Sequence, residues 1–129
     1  LRQDPGPKNA LGRIKFMFPN KHAVYLHDTP ARGLFRKPQR AFSSGCIRVE
    51  RPLPLAARLF DGDPDRVGTW LWRQIDRGDT DRLRVRPSVP VYLVYLTAWV
   101  DDAGTVQFRP DLYRRNSRLR HRFMTQSGD

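Results

Sequence analysis

Apolar and polar positions alternate early in the chain. In the stretch RIKFMF, Ile14, Phe16 and Phe18 fall on one face, the two-residue period of a strand. Pro19-Asn20-Lys21 reads as a turn and HAVYLH as a second strand, so residues 13–27 predict a β-hairpin that His27 closes. Residues 28–45 contain Pro30, Gly33, Pro38 and Gly45. They predict a long connection with at most one helical turn over residues 31–35, and long irregular loops in small domains are often functional. The period turns helical after Pro52 and Pro54, where Leu55 and Leu59 share a face. Asp63-Pro64 predicts a second helix start, with Asp as cap and Pro in the first turn. Val67, Leu71 and Ile75, with Trp70, form its apolar stripe, and Gly78 suits its stop. Leu83 and Val85 predict a half-exposed strand, and residues 91–100, apolar on both faces, a buried central one. Asp101-Asp102-Ala103-Gly104 turns the chain back into a strand over residues 105–108. From Pro110 the chain is polar and basic. No repeat and no second domain boundary interrupts this order. The expected organisation is therefore one mainly β, α+β domain over residues 1–109 and a basic tail over residues 110–129.

Composition narrows the class. The chain has 129 residues, 39% of them hydrophobic, with 3 Trp, 4 Tyr and 7 Phe, which suits one modest core rather than disorder. No stretch approaches the roughly 20 apolar residues of a membrane-spanning helix. The formal charge of +11 attracts polyanions such as anionic wall polymer or nucleic acid. The cations are scattered, however, and the densest group (Arg114, Arg115, Arg118, Arg120, Arg122) reads as a solvated tail. A nucleic-acid reader would gather them on one element among aromatics, so no nucleic-acid partner is expected. Three scattered histidines and one cysteine do not make a zinc site; His22 and His121 read as surface residues. Asp61, Asp63 and Asp65 lack the glycine and later glutamate of a calcium loop. The chain opens at Leu1 without a signal-peptide pattern and reads as a fragment or processed form.

The chemistry concentrates in residues 25–50, YLHDTPARGLFRKPQRAFSSGCIRVE. A single cysteine cannot form an internal disulfide and is either a small buried hydrophobe or a reactive thiol. If the loop folds back, His27 can take the proton of Cys46 and leave a thiolate, the nucleophilic form. Gly45 lets the backbone pass closely, so that N–H groups at Gly45 and Cys46 can face a developing oxyanion. Arg48 has the fork geometry to hold a carboxylate. Tyr25, two residues before His27, shares its strand face and either lines the cleft or packs in the core. Arg40 and Phe42 are weaker candidates for shaping a groove.

These residues resemble the active-site motif of the L,D-transpeptidase (YkuD) family: a His, a spacer, then Ser/Thr-His-Gly-Cys, an apolar residue and Arg or Asn. His27 matches the first block; Ser43, Gly45, Cys46, Ile47 and Arg48 match the second. Ser44 stands where most of the family has His, and Asp28 replaces a small residue. Both departures resemble the branch of large periplasmic enzymes of Gram-negative bacteria that carry His-Asp-Thr-Pro and Ser-Ser-Gly-Cys. The likeness extends to PGPKNALGRIKFMFPN and YLTAWVDDAGTVQFRPDLY, nearly the whole chain.

The resemblance implies the C-terminal part of a YkuD-type β-sandwich, with a long active-site loop, two short helices and further strands upstream of Leu1. It implies Cys46 as nucleophile, His27 as general acid and base and Gly45 as an oxyanion donor. Arg48, Ser43, Ser44, Tyr25 and Asp28 would meet substrate. With Ser44 in place of His, Asp28 or a backbone carbonyl must orient His27. The implied partners are donor and acceptor stem peptides of peptidoglycan, joined by 3–3 cross-links in cell-wall biogenesis and cell-shape maintenance, and carbapenem-type inhibitors. No metal or cofactor is implied, and the implied compartment is the periplasm. An L,D-carboxypeptidase using water as acceptor, and a non-catalytic basic module that binds wall polymer, are the alternatives.

Overall fold

A computed structural model describes residues 3–4, 6, 8–43 and 45–116. The α+β class is as expected. Two small sheets and two helices fall into two compact units that divide between Val91 and Tyr92.

In the first unit, β1 (Lys15–Phe16), β2 (Leu26–His27) and β3 (Ile47–Arg48) form a sheet in the order β1-β2-β3. The first pair is antiparallel, with Lys15 opposite His27 and Phe16 opposite Leu26. The second is parallel, with Leu26 beside Ile47 and His27 beside Arg48. Flanking hydrogen bonds extend the ladder: Asp28 N–H to the Ile14 carbonyl at 2.8 Å, Ile47 N–H to Tyr25 at 3.0 Å, and Val49 N–H to His27 at 2.8 Å.

The hairpin expected over residues 13–27 is present, but a side chain closes its connection. Asn20 Nδ2 donates to the carbonyls of Phe18 and Val24, and its Oδ1 accepts from the amides of His22 and Val24. This competition with the ladder is typical of Asn and keeps the paired part short.

Phe16 turns one face of the sheet toward the core. There Ala56, Ala57 and Leu71 are buried, with Ile14, Phe16, Leu53, Phe60 and Val67 packed around them. The core lies between α1 (Pro52–Arg58) and α2 (Pro64–Asp76). Gly68 of α2 faces the Ala57 methyl, so small residues meet where the helices approach. Helix α2 begins as its sequence predicts: the Asp63 carboxylate accepts from the amides of Asp65 and Arg66, and Pro64 opens the first turn. Gly78, at φ 80°, donates to the Ile75 carbonyl and ends it. A 3-10 turn over Arg32–Arg36 occupies the predicted helical turn in the long connection.

In the second unit, β4 (Ala98–Val100) and β5 (Val106–Phe108) form an antiparallel hairpin in which Trp99 faces Gln107. Asp101 closes the turn by accepting from the amides of Ala103 and Thr105 and from the Gln107 side chain. Beyond it, Tyr95 donates to Asp111 at 2.7 Å.

Two strand expectations fail. Leu83 and Val85 lie in irregular chain, and residues 91–97 form no strand; Tyr92 is 82% exposed and Val94 74% exposed. Apolar character suits a strand but does not make one, because the backbone groups need a neighbouring ladder. β5 supplies that ladder only from Thr97, whose carbonyl accepts from Arg109 N–H, through Val100. Arg118, Arg120, His121 and Arg122 lie outside the described residues.

Candidate active site

Side chains alternate across a strand, so the face of β2 opposite Leu26 carries Tyr25 and His27. Register brings Lys15 of β1 and Arg48 of β3 to that face, one on each side of His27. Cys46, two residues before Arg48, completes the row. The sheet thus has a packing face at Phe16 and a polar face at Lys15, Tyr25, His27, Cys46 and Arg48.

The polar face is connected by specific contacts. The Tyr25 hydroxyl interacts with the Cys46 thiol, and that interaction is the main reason its pKa lies above the ordinary tyrosine value. Burial and the charge of a thiolate act in the same direction. The phenol therefore stays protonated as a donor throughout the physiological range. The rings of Tyr25 and His27 meet edge to face, with centroids 5.8 Å apart and planes at 63°. The Lys15 ammonium stands 3.7 Å from the Tyr25 ring centroid. Cys46 is half-buried, neither sealed in the core nor fully open to solvent.

His27 is buried, and its Nδ1 lies 2.5 Å from the carbonyl oxygen of Asp28. A carbonyl only accepts, so Nδ1 carries the hydrogen and Nε2 is the nitrogen left for proton transfer. Of the two candidates for orienting His27, the backbone carbonyl makes the contact.

The Asp28 carboxylate is turned to another task. It is buried; Oδ2 accepts from the Arg13 amide at 2.8 Å and Oδ1 from the Arg32 guanidinium at 2.6 Å. Arg32 also donates to the Glu50 carbonyl, tying the long connection to the chain after β3. Gly12, at φ 65°, makes room: a Cβ there would fall 2.4 Å from the carboxylate. Thr29 is buried too, and its hydroxyl accepts from Ala31 N–H.

The loop before Cys46 is tied by Ser43. Its hydroxyl donates to the Cys46 carbonyl at 2.5 Å and accepts from Gly45 N–H at 3.3 Å. Gly45 has φ 150°, a conformation that side chains rarely adopt. Arg48 donates to the Phe42 carbonyl at 3.3 Å, so part of its guanidinium fastens this loop. Ser44 lies outside the described residues.

A hollow of about 480 Å³ lies behind the His27-Asp28 turn, lined by Arg13, Asp28, Arg32, Glu50 and Trp72 among others. Cys46, His27 and Tyr25 do not line it. The hollow is lined by neither cysteine nor histidine, whereas the sheet face carries both a thiol and an imidazole. Among the described residues, no three potential metal ligands gather and no helix is long and apolar enough to cross a membrane.

The sequence agrees with this chemistry. The profile of the L,D-transpeptidase catalytic domain, YkuD, matches residues 1–93. The chain belongs to the YkuD L,D-transpeptidase family. A Haemophilus influenzae protein named "Putative L,D-transpeptidase" is 41% identical over 113 residues, covering 88% of this chain and 22% of that protein. The chain thus spans about a fifth of the length of that relative. The YkuD match contains all of Tyr25, His27, Asp28, Ser43, Gly45, Cys46 and Arg48. Sequence reasoning assigned no part to Lys15, Arg32 or Gly12. Lys15 was legible in principle, as the outward residue between Ile14 and Phe16 on a strand that pairs with His27. Nothing local marks the other two.

Proposed function

We propose that this chain is the catalytic portion of a peptidoglycan L,D-transpeptidase that works through a Cys46 thioester. The observation that carries the reading is the sheet face shared by Tyr25, His27 and Cys46, on which His27, its Nδ1 committed to a backbone carbonyl, keeps Nε2 for proton transfer.

The Cys46 thiolate attacks the carbonyl carbon of the third, diamino-acid residue of a donor stem. Charge builds on the carbonyl oxygen, where the Cys46 amide and the Tyr25 hydroxyl act as donors; Gly45 N–H joins them by exchanging Ser43 for the oxyanion. The C–N bond to the terminal D-Ala breaks and His27 Nε2–H⁺ protonates the departing amine. The side-chain amine of an acceptor stem then attacks the thioester and gives its proton to His27. A 3–3 cross-link forms and the thiol is restored. Arg48 and Ser43 meet the stem peptide beside Cys46, while Asp28 acts from behind His27. No cofactor enters these steps. A carbapenem presents a strained carbonyl to the same sulfur and acylates it. The substrate places the enzyme in the periplasm, and the family relationship supports further strands that complete a β-sandwich around the small sheet.

The test is incubation with a disaccharide-tetrapeptide, followed by mass spectrometry. The wild type yields a 3–3 dimer and a transient adduct on Cys46, and Cys46→Ala yields neither. A tripeptide without dimer would make the protein a carboxypeptidase, and dimer formation by Cys46→Ala would refute the thioester.

A further inference from the structure

Two cations share the sheet face with Cys46, and they are not equivalent. Arg48 is partly committed to the Phe42 carbonyl and holds the loop. Lys15 is exposed and has no carboxylate or carbonyl partner among the described residues. Its ammonium rests on the face of Tyr25, which shares the sheet face with Cys46 and whose hydroxyl interacts with the thiol. Lysine and thiol therefore flank one tyrosine side chain, on the order of 10 Å apart at most. An ammonium held by a ring face keeps its N–H donors for a further ligand.

We propose that Lys15 is the anion-recognising residue of this site and takes the free α-carboxylate of the amino acid that leaves when Cys46 is acylated. The inference rests on the transpeptidase reading for the identity of that carboxylate and on geometry alone for the anion subsite. A peptide whose carbonyl carbon lies against the sulfur carries the next residue about 3.8 Å further along the chain. Adding a near-attack separation of roughly 3–3.5 Å at the sulfur and a hydrogen bond of about 3 Å at the ammonium spans the available gap. The carboxylate must be terminal, because an amide or a continuing chain at that point brings no negative charge. Lys15 thus makes the site select donors that end one residue after the scissile bond.

The test reads alkylation of Cys46, which needs no transpeptidation. N-iodoacetyl-D-alanine and its C-terminal amide carry the same electrophile, and the thiolate displaces iodide from either to form a thioether. They differ only in a carboxylate one residue beyond the reacting carbon. Rates are measured on the whole chain and divided by those of a free cysteine derivative at the same ionic strength. The wild type should favour the acid over the amide, and Lys15→Met should lower that preference about three-fold, as expected for one partly exposed ion pair. Lys15→Arg should retain it. Lys21→Met, which removes the same charge from an exposed turn, should leave it unchanged. An equal preference in wild type and Lys15→Met overturns the proposal, and so does an equal fall in Lys21→Met. Cross-linking, assayed separately, distinguishes the two readings. A retained acid preference without cross-linking sinks the reaction, whereas cross-linking without the preference sinks only the role of Lys15.

Discussion

The imidazole of His27 is held by the carbonyl of Asp28, its own neighbour in the chain, at 2.5 Å from Nδ1. In the proposed reaction His27 both gives and takes a proton, which requires a fixed tautomer. Main-chain geometry supplies it here, and the Asp28 carboxylate fixes that main chain through the Arg13 amide and Arg32.

Asp28→Ala keeps the carbonyl acceptor but loses the anchors of the turn. It should destabilise the fold by about 1–3 kcal/mol, because a part-buried amide loses its partner and Arg32, half-exposed, returns to water. Acylation should slow as His27 loses its orientation. Urea denaturation and the rate of carbapenem adduct formation measure the two effects. Unchanged values for both would mean that the carboxylate is incidental.

Tyr25→Phe removes the donor to sulfur and to the proposed oxyanion while preserving ring contacts with His27 and Lys15. Acylation by a carbapenem should fall at least ten-fold at neutral pH, the scale of one lost hydrogen bond to a charged centre. The thermal midpoint should barely move. Stopped-flow fluorescence or timed mass spectrometry gives the rate, and a wild-type rate would remove the phenol from the chemistry.

Gly12→Ala places a methyl against the Asp28 carboxylate at a positive φ. Both the overlap and the backbone strain act against it, so it should cost more than about 1 kcal/mol. Gly6→Ala, whose Cβ would meet nothing, provides the comparison in the same denaturant series.

Asp101 gives the second unit an acid-sensitive turn. Its carboxyl is held below the ordinary aspartate range chiefly by the Gln107 side chain, with the amides of Thr105 and Ala103 assisting against burial. A depressed folded pKa contributes stability above the unfolded value, about 3.9. That contribution is lost as pH falls through the lower, folded value. The Thr105 amide resonance should therefore titrate with a midpoint below that of a free aspartate. Asp101→Asn should abolish the titration; if the midpoint matches a free aspartate, the turn does not depend on the charge.

Helix α2 was legible because its signals are local: a capping Asp63-Pro64, an apolar stripe centred on Leu71, and Gly78 at the stop. The pairing of residues 13–27 was legible from alternation. Residues 91–97 misled for the opposite reason, since a strand is a relationship between two segments and composition describes only one. Tyr25, His27 and Cys46 were readable as a group from strand alternation and a family motif. The same alternation puts Lys15 outward between Ile14 and Phe16, but nothing in its own segment distinguishes it from a solvated lysine; only the pairing with His27 does. The clasp of Arg32 on Asp28 and Glu50 joins residues separated by the whole long connection, and no local pattern encodes it.

The two-sided sheet also limits how this segment can change length. Leu26 and His27 are neighbours in sequence but serve opposite sides, so a one-residue slip of β2 against β1 or β3 would exchange their environments. Such a slip would send an imidazole into hydrocarbon and a leucine toward the thiol. Insertions are therefore better accommodated in the connection from residue 37 to residue 41 than inside Tyr25-Leu26-His27 or Cys46-Ile47-Arg48, where one added residue would break up the shared polar face without replacing any of its side chains.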